Sequence, residues 1–294
     1  MTPRLLVVDG HAYAYRAFHA IRELKGPAGQ PTNAIYGFIK MVAKLRGIVE
    51  PTHIVVVWDG GLSSERVAVL PEYKAQRPPM PAALEQQLDE IVAWLRASRV
   101  ASWCRDGVEA DDWIAALARW AEAEGWTVVI ASSDKDFMQL VSERVGLVNP
   151  NDRSEAVWTA EQVREKTGVT PAQVVDWLSL MGDAVDNIPG VPGVGTKTAA
   201  ELLGQFGTVD GLYARLPEVK SDRLRAALVA AERDVRRNRD LVRLKTELPA
   251  PVLADDLAMG APDVEALGAL YRRWGFRSLL AGLESVPDRQ ATLL

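Results

Sequence analysis

"RLLVVDG", residues 4–10, is the stretch on which the fold turns. Its apolar residues run on without polar alternation and stop at Asp9-Gly10, the pattern of a short buried strand. The same shape recurs twice. "HIVVVW" (53–58) ends at Asp59-Gly60-Gly61, and "TVVIASS" (127–133) ends at Asp134-Lys135-Asp136. Between these runs the apolar spacing becomes helical. Residues 33–46 carry Ile35, Phe38, Val42 and Leu45 on one face, with Asn33 as cap and Gly47 as stop. Pro81 opens a second helix with Leu84, Leu88, Ile91 and Leu95 on one face, and a third spans about 110–124. Strands alternating with helices predict an α/β fold over residues 1–165, a mostly parallel twisted sheet with helices on both faces. Capping boxes at Thr159–Gln162 and Thr170–Gln173 begin a change of pattern. Residues 166–294 read as a helical subdomain, with later helices near 221–245, 263–274 and 277–284.

The chain has 294 residues, 48% hydrophobic and 25% charged, a globular composition. No run of eighteen apolar residues is present, so nothing is expected to span a membrane. The N-terminus enters the first strand almost at once, which argues against a secretory signal. A single cysteine, Cys104, excludes an internal disulfide and suits a reducing cytoplasm. The net charge of −5 argues, taken alone, against a nucleic-acid partner.

That charge is unevenly placed. "GVEADDWIAALARW" (107–120) starts a helix with Glu109, Asp111 and Asp112, more carboxylates than a cap needs. Asp9, Asp59 and the Asp134/Asp136 pair each follow a strand, at the edge where open α/β sheets bind ligands. Asp183 and Asp186 are three apart and share a face on a helical turn. Two such charges 4 Å apart repel by about 1 kcal/mol in water and about 4 where partly shielded. A helix N-terminus offsets only about 0.3–1 kcal/mol. Oxygen donors without His or Cys select a hard dication, Mg²⁺ or Mn²⁺, and so many suit two ions. A pair of such ions is the clamp that cleaves phosphodiesters. The plainer reading is that an Asp after a strand merely shapes a turn; three strand ends and a helix head together are hard to explain that way. An EF-hand is excluded, because Gln139 and Val145 stand where it needs Gly and Glu.

"NIPGVPGVGTKTAAELLGQFG" (187–207) is neither a dinucleotide fingerprint nor a Walker A loop; Thr196 stands where the latter needs Lys. Gly190, Gly193 and Gly195 allow backbone N–H groups close to an anion, the helix from about Thr196 points its positive end at it, and Lys197 and Thr198 add donors. That suits a sugar–phosphate backbone. A glycine-rich turn before an Ala/Leu helix accounts for the local pattern equally well.

Taken together, "LLVVDGHAYAYRAFHAI", "VVVWDG", "LPEYKAQRPPMP", "GVEADDWIAALA", "ASSDKDFMQL" and "GDAVDNIPGVPGVGTKTAAELL" resemble the bacterial 5′→3′ exonuclease or flap endonuclease family. Members form the N-terminal nuclease domain of DNA polymerase I or stand alone. The resemblance implies a PIN/resolvase-like core and a helix–three-turn–helix element at 187–207 that holds duplex DNA and binds K⁺. It implies one metal site of Asp9, Asp59, Glu109, Asp111 and Asp134, and a second of Asp136, Asp183 and Asp186, with Asp112 between. Residues 62–80 would form a mobile arch, in which Lys74 and Arg77 steady the scissile phosphate and Tyr73 stacks on a base. Arg16 would contact phosphate near the cut. The implied partner is DNA as a flap, nick or 5′-ended duplex, with a DNA polymerase and ligase beside a monomeric, cytoplasmic, nucleoid-associated enzyme.

The family pattern is not matched everywhere. "GLSSERVAVLPEYK" keeps Arg66 but lacks the usual aromatic and acidic neighbours, and Asn33 stands where many relatives have Gly. With the nine carboxylates set aside, the remaining chain is net positive, which removes the charge objection. His11, His19 and His53 read as structural. Rival readings are a non-cutting DNA-binding module, a phosphatase with an Asp-x-Asp nucleophile, and a nuclease of the same fold acting on RNA. Intact acidic motifs speak against the first, and Met138 and His11 at required positions against the second.

Overall fold

The computed structural model describes residues 2–152, 154, 156–248 and 254–284. A parallel five-stranded sheet forms its centre, in the order β3-β2-β1-β4-β5. The strands are β1 (Arg4–Asp9), β2 (His53–Trp58), β3 (Ala101–Cys104), β4 (Thr127–Ala131) and β5 (Val145–Val148). Although the strands are apolar throughout, their side chains divide by the two-residue period of the pleat. Leu5, Val7, Val55, Val57, Val128 and Ile130 enter one core, and Leu6, Val8, Ile54, Val56, Val129 and Ala131 enter the other. Helices α1 (Gly10–Ala20), α2 (Asn33–Val49) and α4 (Ala82–Ala97) cover the second face, and α5 (Ala110–Ala123) covers the first. Register then places the acids. Asp9 pairs with Val57 and Val8 with Ala131, so Asp9, Asp59 and Asp134 emerge at one edge.

Beyond the sheet lie α6 (Ala160–Thr167), α7 (Val174–Met181), α8 (Thr196–Phe206), α9 (Val209–Ala214), α10 (Asp222–Val242), α11 (Ala254–Leu257), α12 (Val264–Trp274) and α13 (Arg277–Glu284). Two-residue strands β6 (Gly182–Asp183) and β7 (Ile188–Pro189) pair antiparallel between α7 and α8. Both capping boxes form, the second on a short 3-10 turn ahead of α7. Neither core stops at residue 165. Leu178, Leu203 and Leu228 share a core with Val7, while Leu267, Tyr271 and Trp274 share one with Val8. No helix among the described residues is long and apolar enough to cross a membrane.

Three local expectations change. Helix α2 runs through Gly47 to Val49 and stops at Glu50, whose φ is +46°. Asn33 lies inside that helix and not at its cap; its amide donates to the carbonyls of Phe18 and Ile21 at 2.9 Å each, fixing the end of α1. The buried Gln87 of α4 does the capping, accepting the Ala34 N–H at 2.8 Å. Strand β4 ends at Ala131, because Ser132 and Asp134 turn into the acidic edge.

The turn after β2 touches the turn before α5 backbone to backbone. Gly60 N–H donates to the Val108 carbonyl at 3.1 Å, and Gly107 N–H to the Gly60 carbonyl at 2.7 Å. A Cβ on Gly60 would stand 1.7 Å from the Arg105 carbonyl oxygen. Gly60→Ala therefore lowers unfolding free energy by about 1–3 kcal/mol, the cost of forced overpacking, as read by urea denaturation.

Candidate active site

The carboxyl edge of the sheet opens into a cleft of about 680 Å³. Asp9, Asp59, Asp111, Asp134, Asp183 and Asp186 line it, with Tyr15, Arg77 and Lys135. Several of these carboxylates also shape backbone. Asp9 accepts the Ala12 N–H at 3.0 Å and the Ser132 hydroxyl at 2.7 Å. Asp59 accepts the Ala110 N–H at 2.8 Å, tying β2 to the head of α5, and Asp134 accepts the Asp136 N–H at 2.8 Å. The β6–β7 hairpin brings Asp183 and Asp186 in from the helical half. Asp136 lies beside them with Oδ1 buried and without a hydrogen-bond partner among the described residues.

Burial and mutual repulsion disfavour the ionised forms here. Burial, with Asp59 and Asp134 nearby, pushes Asp9 up to about 6. Burial and neighbouring carboxylates raise Asp134 and push Asp111 and Asp136 well above the usual carboxylate range. Three cations reply. Lys74, buried, reaches Glu109 at 2.9 Å, Asp111 at 3.8 Å and Asp186 at 3.9 Å. Arg77 meets Asp186 at 2.6 Å, and Lys135 meets Asp183 at 2.8 Å. With these side chains in place, no group of three or more acidic, imidazole or thiol side chains among the described residues is disposed to hold an ion.

Glu109 and Asp112 face elsewhere than expected. Arg66 grips Asp112 with two nitrogens at 2.8 and 2.7 Å and Glu109 at 3.0 Å. Glu109 also accepts from Ser63 N–H at 3.0 Å, Tyr73 Oη at 3.1 Å and Lys74 Nζ at 2.9 Å. Burial alone would raise Glu109, but Lys74 and Arg66 hold it below its ordinary value. Neither carboxylate lines the cleft. The Asp112 oxygens accept from Arg66 and from the Lys245 N–H.

Residues 62–80 do not stand out as an arch either. They form a short helix, α3 (Ser64–Val69), and a turn docked on the core through buried Arg66, Leu70, Tyr73 and Lys74. Lys74 N–H donates to the Asp186 carbonyl at 3.0 Å, with φ +55°. Tyr73 is 3% exposed, so its ring is not open to stack on a base; Tyr15, half-buried, lines the cleft instead. Arg16 lies outside the cleft and bonds Asn151. In the glycine hairpin, Gly190 serves packing, since its Cβ would stand 2.2 Å from the Met181 carbonyl group. Gly193 and Gly195 are exposed with open space around them, as are Thr196 and Lys197 at the head of α8; Thr198 is half-buried.

Sequence reading missed Lys135, Tyr15 and His11 as cleft residues. Lys135 was visible between two acids of "DKD". Tyr15 and His11 needed α1, whose small and aromatic residues hide its apolar face. His11 Nδ1 accepts the Asp59 N–H at 3.1 Å, a structural role despite its place in the cleft.

The arrangement defines a class: an α/β protein with an acid-lined cleft at the carboxyl edge of a parallel sheet, beside a glycine hairpin contributed by its helical half. Within that class the chain belongs to the 5′-3′ exonuclease family. Residues 4–168 match the family's N-terminal resolvase-like domain, and residues 169–265 its C-terminal SAM fold. A 5′-3′ exonuclease of Aquifex aeolicus is 36% identical, over 98% of this chain and 97% of the relative. DNA polymerase I of Bacillus caldotenax is 39% identical over 97% of this chain, which spans only 33% of that longer relative. Among solved structures, a T5 5′-exonuclease with bound zinc ions superposes with a TM-score of 0.68 at 25% identity, over 95% of this chain and 96% of the other.

Removing Arg66 leaves the buried Asp112 without its cation while Glu109 keeps Lys74, so Arg66→Ala costs about 3–5 kcal/mol in chemical denaturation. Arg66→Lys recovers only part, because a lysine cannot reproduce the two-pronged grip. A second expectation concerns pH. A carboxyl raised in the folded state favours folding while protonated, and that advantage is lost as pH climbs from its unfolded value through about 6. In chelator, the unfolding free energy of Asp9→Asn relative to wild type therefore rises between about pH 4 and 7, by on the order of 3 kcal/mol.

Proposed function

We propose that this chain is a divalent-metal-dependent 5′→3′ exodeoxyribonuclease and 5′ flap endonuclease, working in DNA replication and repair. The observation that carries this reading is the gathering of Asp9, Asp59, Asp111, Asp134, Asp136, Asp183 and Asp186 around one cleft, with Asp136 Oδ1 buried and unpartnered among the described residues. An oxygen-only donor set of this charge fits Mg²⁺ or Mn²⁺, in two sites. Ions held there would make water a ready nucleophile and offset charge on the phosphoryl oxygens. The names of the relatives, an exonuclease and a DNA polymerase I, support DNA as the substrate, as does the zinc-bound T5 relative for a metal.

The chain's own residues supply the rest. Arg77 stands at the cleft with its side chain 42% exposed, free to exchange Asp186 for a phosphoryl oxygen. Lys74 brings a second positive charge from below, and Tyr15 lines the wall. Glu109 acts by holding Lys74, and Asp112 by holding Arg66. Exposed Gly193, Gly195 and Lys197, with Thr198, suit the backbone of a duplex entering from the helical side, and the hairpin's carbonyls suit a K⁺ ion. A DNA polymerase and a ligase are the fitting partners for such an activity in the cytoplasm, acting beside a monomer.

Incubation with 5′-labelled flap, nicked and single-stranded DNA, and matching RNA, tests this. Cleavage is expected with Mg²⁺ or Mn²⁺ and none in chelator, giving 5′-phosphate and 3′-hydroxyl ends; activity in chelator, or preference for RNA, would overturn it. Asp9→Ala and Asp134→Ala abolish cleavage while retaining DNA binding, and Arg77→Ala lowers kcat by about 10²–10³.

A further inference from the structure

Arg16, the cation of the "YRAF" motif, does not line the acid-lined cleft. Together with Tyr13 it lines a second cleft of about 570 Å³, between α1, α2 and the segment after β5. That volume lies in the range of sites for one small molecule, or one unit of a polymer. Its walls are divided by chemistry. Met41, Leu45 and Ile48 of α2 give it an apolar side. Arg16, exposed, stands on its polar side against Asn151. The carboxylate at its edge, Asp152, is already neutralised by Lys166 at 3.0 Å and bonded by Trp158 at 2.7 Å.

Tyr13 is the informative residue. It is 1% exposed, and its hydroxyl is buried with no hydrogen-bond partner among the described residues. Buried hydroxyls are ordinarily satisfied, and an exception is explained by local strain, a bound water or ion, or a ligand that supplies the partner. An apolar wall, a lone hydroxyl able both to donate and accept, and a guanidinium are the complement of one nucleotide: a base ring, a polar base edge and a phosphate.

The two clefts share a helix. Ala12 and Tyr15 of α1 line the acidic cleft, while Tyr13 and Arg16 line this one. A helix with its side chains is about 10–12 Å across. At roughly 3.4 Å per stacked nucleotide, a strand leaving the acidic cleft crosses it within a few units. We propose that this second cleft takes one unpaired nucleotide of the DNA strand being cut, with its base against Met41, Leu45 and Ile48, its edge at Tyr13 and its phosphate at Arg16. The proposal rests on the nuclease reading above and adds a subsite that distinguishes strands with unpaired nucleotides from flush ones.

An abasic scan tests it with the wild-type chain. Equilibrium binding is measured in chelator, using 5′-flap DNA in which each nucleotide of the flap and of the two pairs beside the junction is made abasic in turn. A single position is expected to weaken binding roughly five- to a hundred-fold, the range that base contacts of this kind contribute. In Tyr13→Phe and Arg16→Gln proteins, with wild-type melting curves, the penalty at that position shrinks several-fold while binding to a flapless nicked duplex stays unchanged. A flat scan, or a penalty that both variants leave intact, would overturn the subsite. If the wild type binds and, with Mg²⁺, cuts these DNAs, either result leaves the nuclease reading standing; failure to bind or cut any of them removes both.

Discussion

Like charges brought to one edge of a sheet repel, and the structure around that edge is organised by the need to answer them. A parallel sheet with this register delivers Asp9, Asp59 and Asp134 side by side, whatever their mutual cost. Asp111 joins from the head of α5, and Asp183 and Asp186 from a hairpin far along the chain. Burial compounds the repulsion, which is why Asp9, Asp111, Asp134 and Asp136 are all raised from the ordinary carboxylate value. Lys74, Arg77 and Lys135 partly offset it, each from a different flank.

The same electrostatics fasten the two halves of the chain. Arg66 links Glu109 and Asp112 of the sheet half to the carbonyls of Leu241 and Arg243 at the C-terminal end of α10, at 3.0 and 3.1 Å. Lys74 and Asn187 tie residues 72–76 to the hairpin, through Asp186 O and Glu72 O. The buried Asn238 of α10 donates to Pro189 O at 2.7 Å and Ser179 O at 3.2 Å, so the hairpin is held from its other side as well. The acidic cleft is thus walled by both halves, and its geometry depends on their docking. That dependence explains why shared cores run across residue 165 instead of ending there.

Much of this was legible in the amino-acid order. Unbroken apolar runs announced β1, β2 and β4, because strands covered on both faces need no polar alternation. The acids behind them followed from the rule that ligands gather at strand carboxyl ends. Helices α4, α5, α8, α10, α12 and α13 were readable from spacing and caps. Strand β3 at the sheet's edge and four-residue β5 were not, since short or half-exposed strands lack a clear period. Asn33 misled for a physical reason: its usual capping role passed to Gln87, fifty-four residues away in sequence.

The sequence by itself determined the layers, the acidic edge and the family, because these depend on local period and on residues adjacent in the chain. Tertiary structure alone decided which carboxylates face the cleft and which are buried against Arg66. It alone docked residues 62–80, closed Tyr73 in, and turned Arg16 toward Asn151. The reason is that a side chain's charge is fixed by its identity, but its partner is fixed by whatever the fold brings within about 3 Å. No spacing rule encodes a contact between Arg66 and Asp112, or between Lys74 and a hairpin more than a hundred residues downstream.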